Sequence, residues 1–137
     1  MTFVDSNVLV YAHDAADSVR QERAALILRG LWRTRTGIVS TQVLTEFYAV
    51  ATRKLTPPMS RAEARSIVAS YAAWPVVQVD ATLVVAASRL EEQHKLSFWD
   101  AMIVEAARRG GATVLYSEDL QHGRRIGGVQ ILNPLRD

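Results

Sequence analysis

Short apolar runs alternate with longer stretches of helical periodicity along this chain. Residues 2–5 read as a strand, 7–13 as a short helix, and 17–33 as a helix opened by Asp17 or Ser18. A second strand at 37–40 follows Gly37, and a helix over about 41–54 starts from Ser40 or Thr41. Pro57-Pro58 interrupts the pattern, because neither proline fits a helix interior. Ser60-Arg61-Ala62-Glu63 then matches a capping box and opens a helix to about Ala73. Val76-Val77-Gln78-Val79 reads as a third strand, followed by helices at 81–95 and 98–109, the latter stopped by Gly110-Gly111. Strands at 113–116 and near Val129-Gln130-Ile131-Leu132 complete the pattern. This β-α-β-α order predicts an α/β fold, a parallel sheet with helices on both faces. No repeat, low-complexity stretch or linker divides the chain, so one domain over 1–137 is expected.

Composition narrows the class. A length of 137 residues, 49% hydrophobic and 22% charged, describes a globular domain with enough apolar material for a core. Cysteine is absent, which excludes disulfides and thiolate zinc sites and fits a reducing compartment. No basic segment leads into an apolar core at the start, and no apolar run approaches the ~20 residues needed to span a bilayer. A cytoplasmic protein without a membrane partner is expected. The net charge of +2 does not by itself identify a nucleic-acid partner. Arginine, however, dominates the cations, with only Lys54 and Lys95 beside it, and arginine suits bidentate phosphate contacts. Gathering several acids into one pocket would leave the remaining surface distinctly basic, a combination that fits an enzyme acting on a polyanion.

Four acids carry the candidate chemistry. Asp5 ends the first strand, and Asp119 lies three residues past Tyr116 at the end of a later one. In a parallel sheet both reach the same carboxyl edge, where such sheets hold ligands. Asp5 could instead be only a helix N-cap, and Asp119 an exposed turn acid in Ser117-Glu118-Asp119. Glu46 falls in the second turn of its helix, just outside a buried arc expected from Leu44, Phe47, Tyr48 and Ala51. That position suits either the rim of a pocket or ordinary solvent. Asp100 shares an apolar stripe with Ile103, Val104 and Ala107, where an unpaired carboxylate costs several kcal/mol. Its competing reading is a capping box with Ser97, its carboxylate reaching back to the Ser97 amide. Oxygen ligands of this kind suit hard cations such as Mg²⁺ and Mn²⁺.

The ordered set Asp5-Ser6-Asn7, Glu46, Ser97-Phe98-Trp99-Asp100-Ala101 and Ser117-Glu118-Asp119 resembles the acidic signature of PIN-domain ribonucleases. Length and β/α order resemble the small bacterial members, the VapC-type toxins of toxin–antitoxin pairs, and the resemblance covers the whole chain. It implies an acidic cluster of Asp5, Glu46, Asp100 and Asp119, with metal on Asp5, Asp100 and Asp119. Asn7 would orient Asp5, Ser117 would supply a hydroxyl near the fourth acid, and Glu118 is the alternative to Asp119. The resemblance also implies Mg²⁺ or Mn²⁺, an RNA substrate such as tRNA or rRNA, a homodimer, and inhibition by a cognate VapB-like antitoxin.

Other features are weaker. Arg61, Arg65, Arg124 and Arg125 are candidates for phosphate contacts, or simply solvated surface cations. His13, His94 and His122 lack metal-ligand spacing, and no P-loop, nucleophile elbow or dinucleotide fingerprint occurs. Trp32, Trp74 and Trp99 read as core or interface anchors, or as base-stacking platforms. Two competing functions remain: a catalytically silent RNA- or protein-binding module, and a haloacid-dehalogenase-like phosphatase, which would want a second acid where Asn7 stands.

Overall fold

The structure is a computed structural model and describes residues 1–136. Twelve elements follow in order. The first half holds β1 (Thr2–Val4), α1 (Ser6–Tyr11), α2 (Ser18–Thr34), β2 (Gly37–Ser40), α3 (Thr41–Arg53) and α4 (Arg61–Tyr71). The second holds β3 (Val76–Val77), α5 (Ala81–His94), α6 (Phe98–Arg109), β4 (Val114–Tyr116), β5 (Arg125–Ile126) and β6 (Val129–Leu132). The strands form one sheet in the order β3-β2-β1-β4-β6-β5. All neighbours are parallel except β5 with β6.

Two departures from the expected pattern concern short strands. β3 stops at Val77 rather than Val79. The antiparallel edge strand β5 was not anticipated, because two residues carry no readable alternation. What builds it is the turn. Gly127 and Gly128 have φ of 57° and 81°, the double left-handed geometry that closes a two-residue hairpin. The expected parallel sheet thus carries one antiparallel edge strand.

The core lies on both faces of the sheet. Successive strand residues point to opposite faces, yet Phe3 and Val4 on β1, and Ile38 and Val39 on β2, are all fully buried. Both faces must be covered, as the apolar runs implied. On one side α6 lies over β2, β4 and β6 and packs along α5. The other helices form their own group, α1 against α2 and α3, and α3 against α4. The caps sit where polar residues precede the helical patterns: the Oγ atoms of Ser40 and Ser60 accept from Val43 N and Glu63 N at 3.2 and 3.1 Å. Among the described residues, no helix is long and apolar enough to cross a membrane.

The parallel order sets up the site. The carboxyl ends of β1, β2 and β4 open on one edge, so Asp5, α3 and Ser117 start from neighbouring points. At the opposite ends of the strands, Trp32, Tyr71 and Trp74 form an aromatic cluster with ring centroids 4.8–5.2 Å apart. Trp32 and Trp74 are thus packing anchors. Gly37 opens β2 directly beneath the Trp74 ring, and a Cβ there would overlap three ring carbons. Gly37→Ala should therefore cost roughly 1–3 kcal/mol by overpacking, read as a lower denaturant midpoint at unchanged slope. An unchanged midpoint would mean that the indole moves aside freely.

Candidate functional site

Asp5 is the centre of the site. It follows β1 and caps α1, and only 5% of its surface is exposed. One carboxylate oxygen accepts from the Ser6 amide at 2.7 Å. The other accepts from Ser117 Oγ, itself fully buried, at 2.8 Å. Ser117 arrives from the end of β4 because β4 pairs with β1 in parallel, Val4 opposite Tyr116. Desolvation raises the Asp5 pKa from 3.8 to about 6; the Ser117 and Ser6 bonds oppose this, and the nearby charges of Glu46 and Asp119 add to it.

Glu46 reaches the same place from α3. Its carboxylate accepts from Ser6 Oγ at 2.8 Å and from Gln42 Nε2 at 2.8 Å. The buried arc of α3 is Val43, Phe47 and Ala51, with Leu44 and Tyr48 only partly covered, so the expected arc was turned slightly. Glu46 stands at the edge of this arc. Gln42, one turn earlier, also donates to the Trp99 carbonyl at 3.4 Å, while its Oε1 is buried without a partner. Ser6 and Gln42 were not singled out from the sequence. A glutamine four residues before a glutamate on one helix face was the available signal for Gln42.

The supporting roles are exchanged relative to expectation. Asn7, expected on Asp5, instead donates to Asp119 at 3.1 Å and accepts from the Glu118 amide at 3.2 Å. Ser117, expected near the fourth acid, is the residue that holds Asp5. Glu118 is not a free substitute for Asp119, because its carboxylate accepts from Tyr11 Oη at 2.9 Å and Arg20 Nε at 3.1 Å. Asp119 is exposed and keeps the remainder of its carboxylate open.

Asp100 is half-buried in the first turn of α6. The Ser97 half of the capping box is present, with Asp100 N donating to Ser97 Oγ at 3.1 Å. The reciprocal bond is absent among the described residues, and the Asp100 carboxylate has no hydrogen-bond or ion-pair partner there. The helix start is thus served by Ser97, leaving the aspartate's charge uncommitted.

These residues surround a groove of about 430 Å³ whose lining includes Ser6, Asn7, Tyr11, Glu46, Glu118 and Asp119. Asp5 lies behind this lining. Asp100 stands outside it and is linked only through the Trp99 carbonyl, Gln42 and Glu46. Among the described residues, no three His, Cys, Asp or Glu side chains are placed to hold a metal ion as a ready-made cage. The donor chemistry nonetheless fits a hydrated hard cation: every nearby ligand is oxygen, and the unpartnered Gln42 Oε1 is an acceptor for a water. The histidines have other roles. His13 packs on Phe47 with ring centroids 5.9 Å apart, and His122 accepts from Asn133 N at 2.9 Å. Arg124 donates to the His94 carbonyl at 2.6 Å, which commits it to the fold.

The raised pKa of Asp5 has a consequence for stability. Its ionised form disfavours the folded state, so its contribution is most favourable below pH 3.8 and is lost as pH rises through about 6. At pH 7 the cost is about 3 kcal/mol. Asp5→Asn removes that charge while its amide oxygen still accepts from Ser6 N, and the Ser117 hydroxyl can turn to accept. The variant should melt above wild type at pH 7–8, with the margin shrinking between pH 6 and 4. A margin independent of pH would refute the buried-charge account.

The chain matches the PIN domain over residues 2–126. No curated protein matches it. Among solved structures, it is similar to Mycobacterium tuberculosis VapC20, a sarcin-ricin-loop-cleaving toxin, with TM-score 0.64 and 22% identity over 85% of this chain and 88% of that one. It is also similar to DNA-bound VapBC from Salmonella typhimurium, with TM-score 0.63 and 18% identity over 95% of each chain. A third is VapBC2 from Rickettsia felis, bound to a promoter DNA fragment, with TM-score 0.63 and 17% identity over 95% and 96%. With the match spanning nearly the whole length, the chain belongs to the PIN domain family, a family of nucleases.

Proposed function

We propose that this chain is a divalent-metal-dependent endoribonuclease and the toxin of a toxin–antitoxin pair. The observation that carries the reading is Asp5: a carboxylate buried at the end of β1, held by Ser117 and facing the charges of Glu46 and Asp119. Capping α1 accounts for the Ser6 bond but not for the burial, the buried Ser117 donor or the two acids beside it. The PIN family match sets the phosphatase reading aside.

Asp5, Asp100 and Asp119 would hold Mg²⁺ or Mn²⁺, with Glu46 acting through water. Such a cation, when bound, acidifies a water for attack on phosphorus and offsets charge on the departing oxygen. Ser117 and Ser6 fix the Asp5 carboxylate, and Asn7 fixes Asp119. Gln42 holds Glu46 through Nε2 and presents Oε1 as an acceptor for a water proton. The sarcin-ricin-loop target of VapC20 supports an RNA needed for translation, tRNA or rRNA, as the substrate class. The VapBC neighbours support a VapB-like antitoxin partner. The homodimer and cytoplasmic location belong to the same proposal. One observation favours the silent binding module instead: Asp100 lies off the groove's lining, with no three-ligand cage among the described residues.

Incubation with total cellular RNA separates the two. With Mg²⁺ or Mn²⁺, new RNA ends should appear at discrete positions, and EDTA should abolish them. Asp5→Asn and Asp100→Asn should each remove cleavage from a folded protein, while Ser117→Ala should lower it about 10–100-fold. Cleavage undiminished in EDTA would sink the metal-dependent mechanism, and no cleavage at all would promote the binding module.

Expression in a bacterial host gives an independent readout. Wild type alone should arrest growth, Asp5→Asn should not, and a co-expressed antitoxin should restore growth to wild type. Equal arrest by wild type and folded Asp5→Asn would place toxicity in sequestration rather than catalysis.

A further inference from the structure

The junction of α3 and α4 carries an unexplained cationic cluster. Arg53 at the end of α3 and Arg61 and Arg65 on α4 line one concavity of about 450 Å³, with Tyr48 and Thr52 between them. None of the three arginines has a hydrogen-bond or ion-pair partner among the described residues. The acids nearest in sequence do not pair with them: Glu63 is exposed and forms no ion pair with them, and Glu46 is bonded to Ser6 and Gln42. Three like charges facing one another without a counter-charge repel, and a bound anion relieves that repulsion.

A second concavity adjoins the first and shares Tyr48 and Arg65 with it. This one, about 440 Å³, is lined by Leu44, Val68 and the methyl-bearing Thr41 and Thr45. A cationic hollow beside an apolar one, with a tyrosine at the junction, matches the two chemistries of a nucleotide: phosphate on guanidinium, base against an apolar or aromatic face. Arg61 and Arg65 are one turn apart, a rise of about 6 Å along α4, close to the spacing of successive phosphates on an extended strand. An inorganic anion would use the arginines and leave the apolar hollow empty.

We infer that the α3–α4 face binds the sugar-phosphate backbone of single-stranded RNA, a few nucleotides from the bond to be cut. The inference rests on the nuclease reading for the same RNA entering the acidic groove. Tyr48 and Thr52 project from the opposite side of α3 to Glu46, so a strand that touches both sites passes over this helix, about 10–12 Å across. Binding there selects longer substrates without entering the chemistry.

The test uses the full chain in EDTA and a fluorescein-labelled oligouridylate of about 20 nucleotides, followed by anisotropy across a salt series. Replacing all three residues (R53Q, R61Q and R65Q together) should raise Kd about tenfold or more at low salt and reduce the slope of log K against log salt by about 2, since each phosphate contact on a single strand contributes about 0.7. The corresponding lysine triple should keep most of the slope, which separates lost charge from disturbed folding. Unchanged Kd and slope for the long RNA would overturn the inference. So would RNA binding that stays intact while affinity for a fluorescein-labelled hexaglutamate peptide falls, which would assign the face to an acidic protein segment. Because binding is read without cleavage, metal-dependent cutting that persists beside arginine-independent RNA binding sinks only this inference. Arginine-dependent binding in a protein that cuts no RNA sinks only the nuclease reading.

Discussion

A carboxylate held almost out of water at the end of β1 is the constraint around which the rest of the site is arranged. Removing Asp5 from solvent disfavours its charge, and two like charges nearby disfavour it further. The fold answers with two donors from different elements, the first amide of α1 and the hydroxyl that follows β4. Neither is local luck. The parallel pairing of β1 with β4 sets Val4 beside Tyr116, so the next residue on each strand, Asp5 and Ser117, meets its counterpart at the sheet edge. A sheet with antiparallel β4 would carry Ser117 to the far end and leave half of Asp5 unsatisfied.

From that pair a chain of bonds spreads outward. Ser6 takes the charge relation to Glu46, Gln42 continues it to the start of α6, and Asn7 ties Asp119 to the backbone of the β4 loop. Four elements widely separated in sequence thereby share one polar network. Among the described residues, its one buried atom without a partner is Gln42 Oε1. Buried acceptors normally find a donor, which in the proposed mechanism is a water.

The fold was legible because its signals are local and repeated. Apolar runs flanked by caps and glycines located the helices and the four inner strands, and β5 escaped because a two-residue strand has no period. Of the expected acids, Asp5, Glu46 and Asp119 meet at one edge, since strand ends in a parallel sheet share a side, whereas Asp100 stands off the groove. Which neighbour serves which acid was not legible. Asn7 and Ser117 exchanged roles because side-chain reach depends on where α1 starts: with Asp5 as the cap, Asn7 is already in the first turn and points toward the β4 loop, away from Asp5. Glu118 was similarly opaque, its ties to Tyr11 and Arg20 joining residues some hundred positions apart.

α3 shows how one short helix serves three opposed demands. Val43, Phe47 and Ala51 enter the core, Gln42 and Glu46 enter the acidic network, and Tyr48, Thr52 and Arg53 line the cationic hollow. A nuclease that gathers carboxylates repels its own substrate, so attraction must come from elsewhere on the surface without neutralising those carboxylates. Arg53, Arg61 and Arg65 are exposed and form no ion pair with those carboxylates among the described residues. In the proposed reading, arginines in a hollow of their own attract a phosphate backbone without pairing with Asp5 or Glu46. Had the same guanidiniums lain within the groove, they would have paired with the carboxylates, as Arg20 pairs with Glu118, and removed the oxygens a cation needs. Placing the arginines in a separate hollow would therefore let opposite charges act on the same strand at different points.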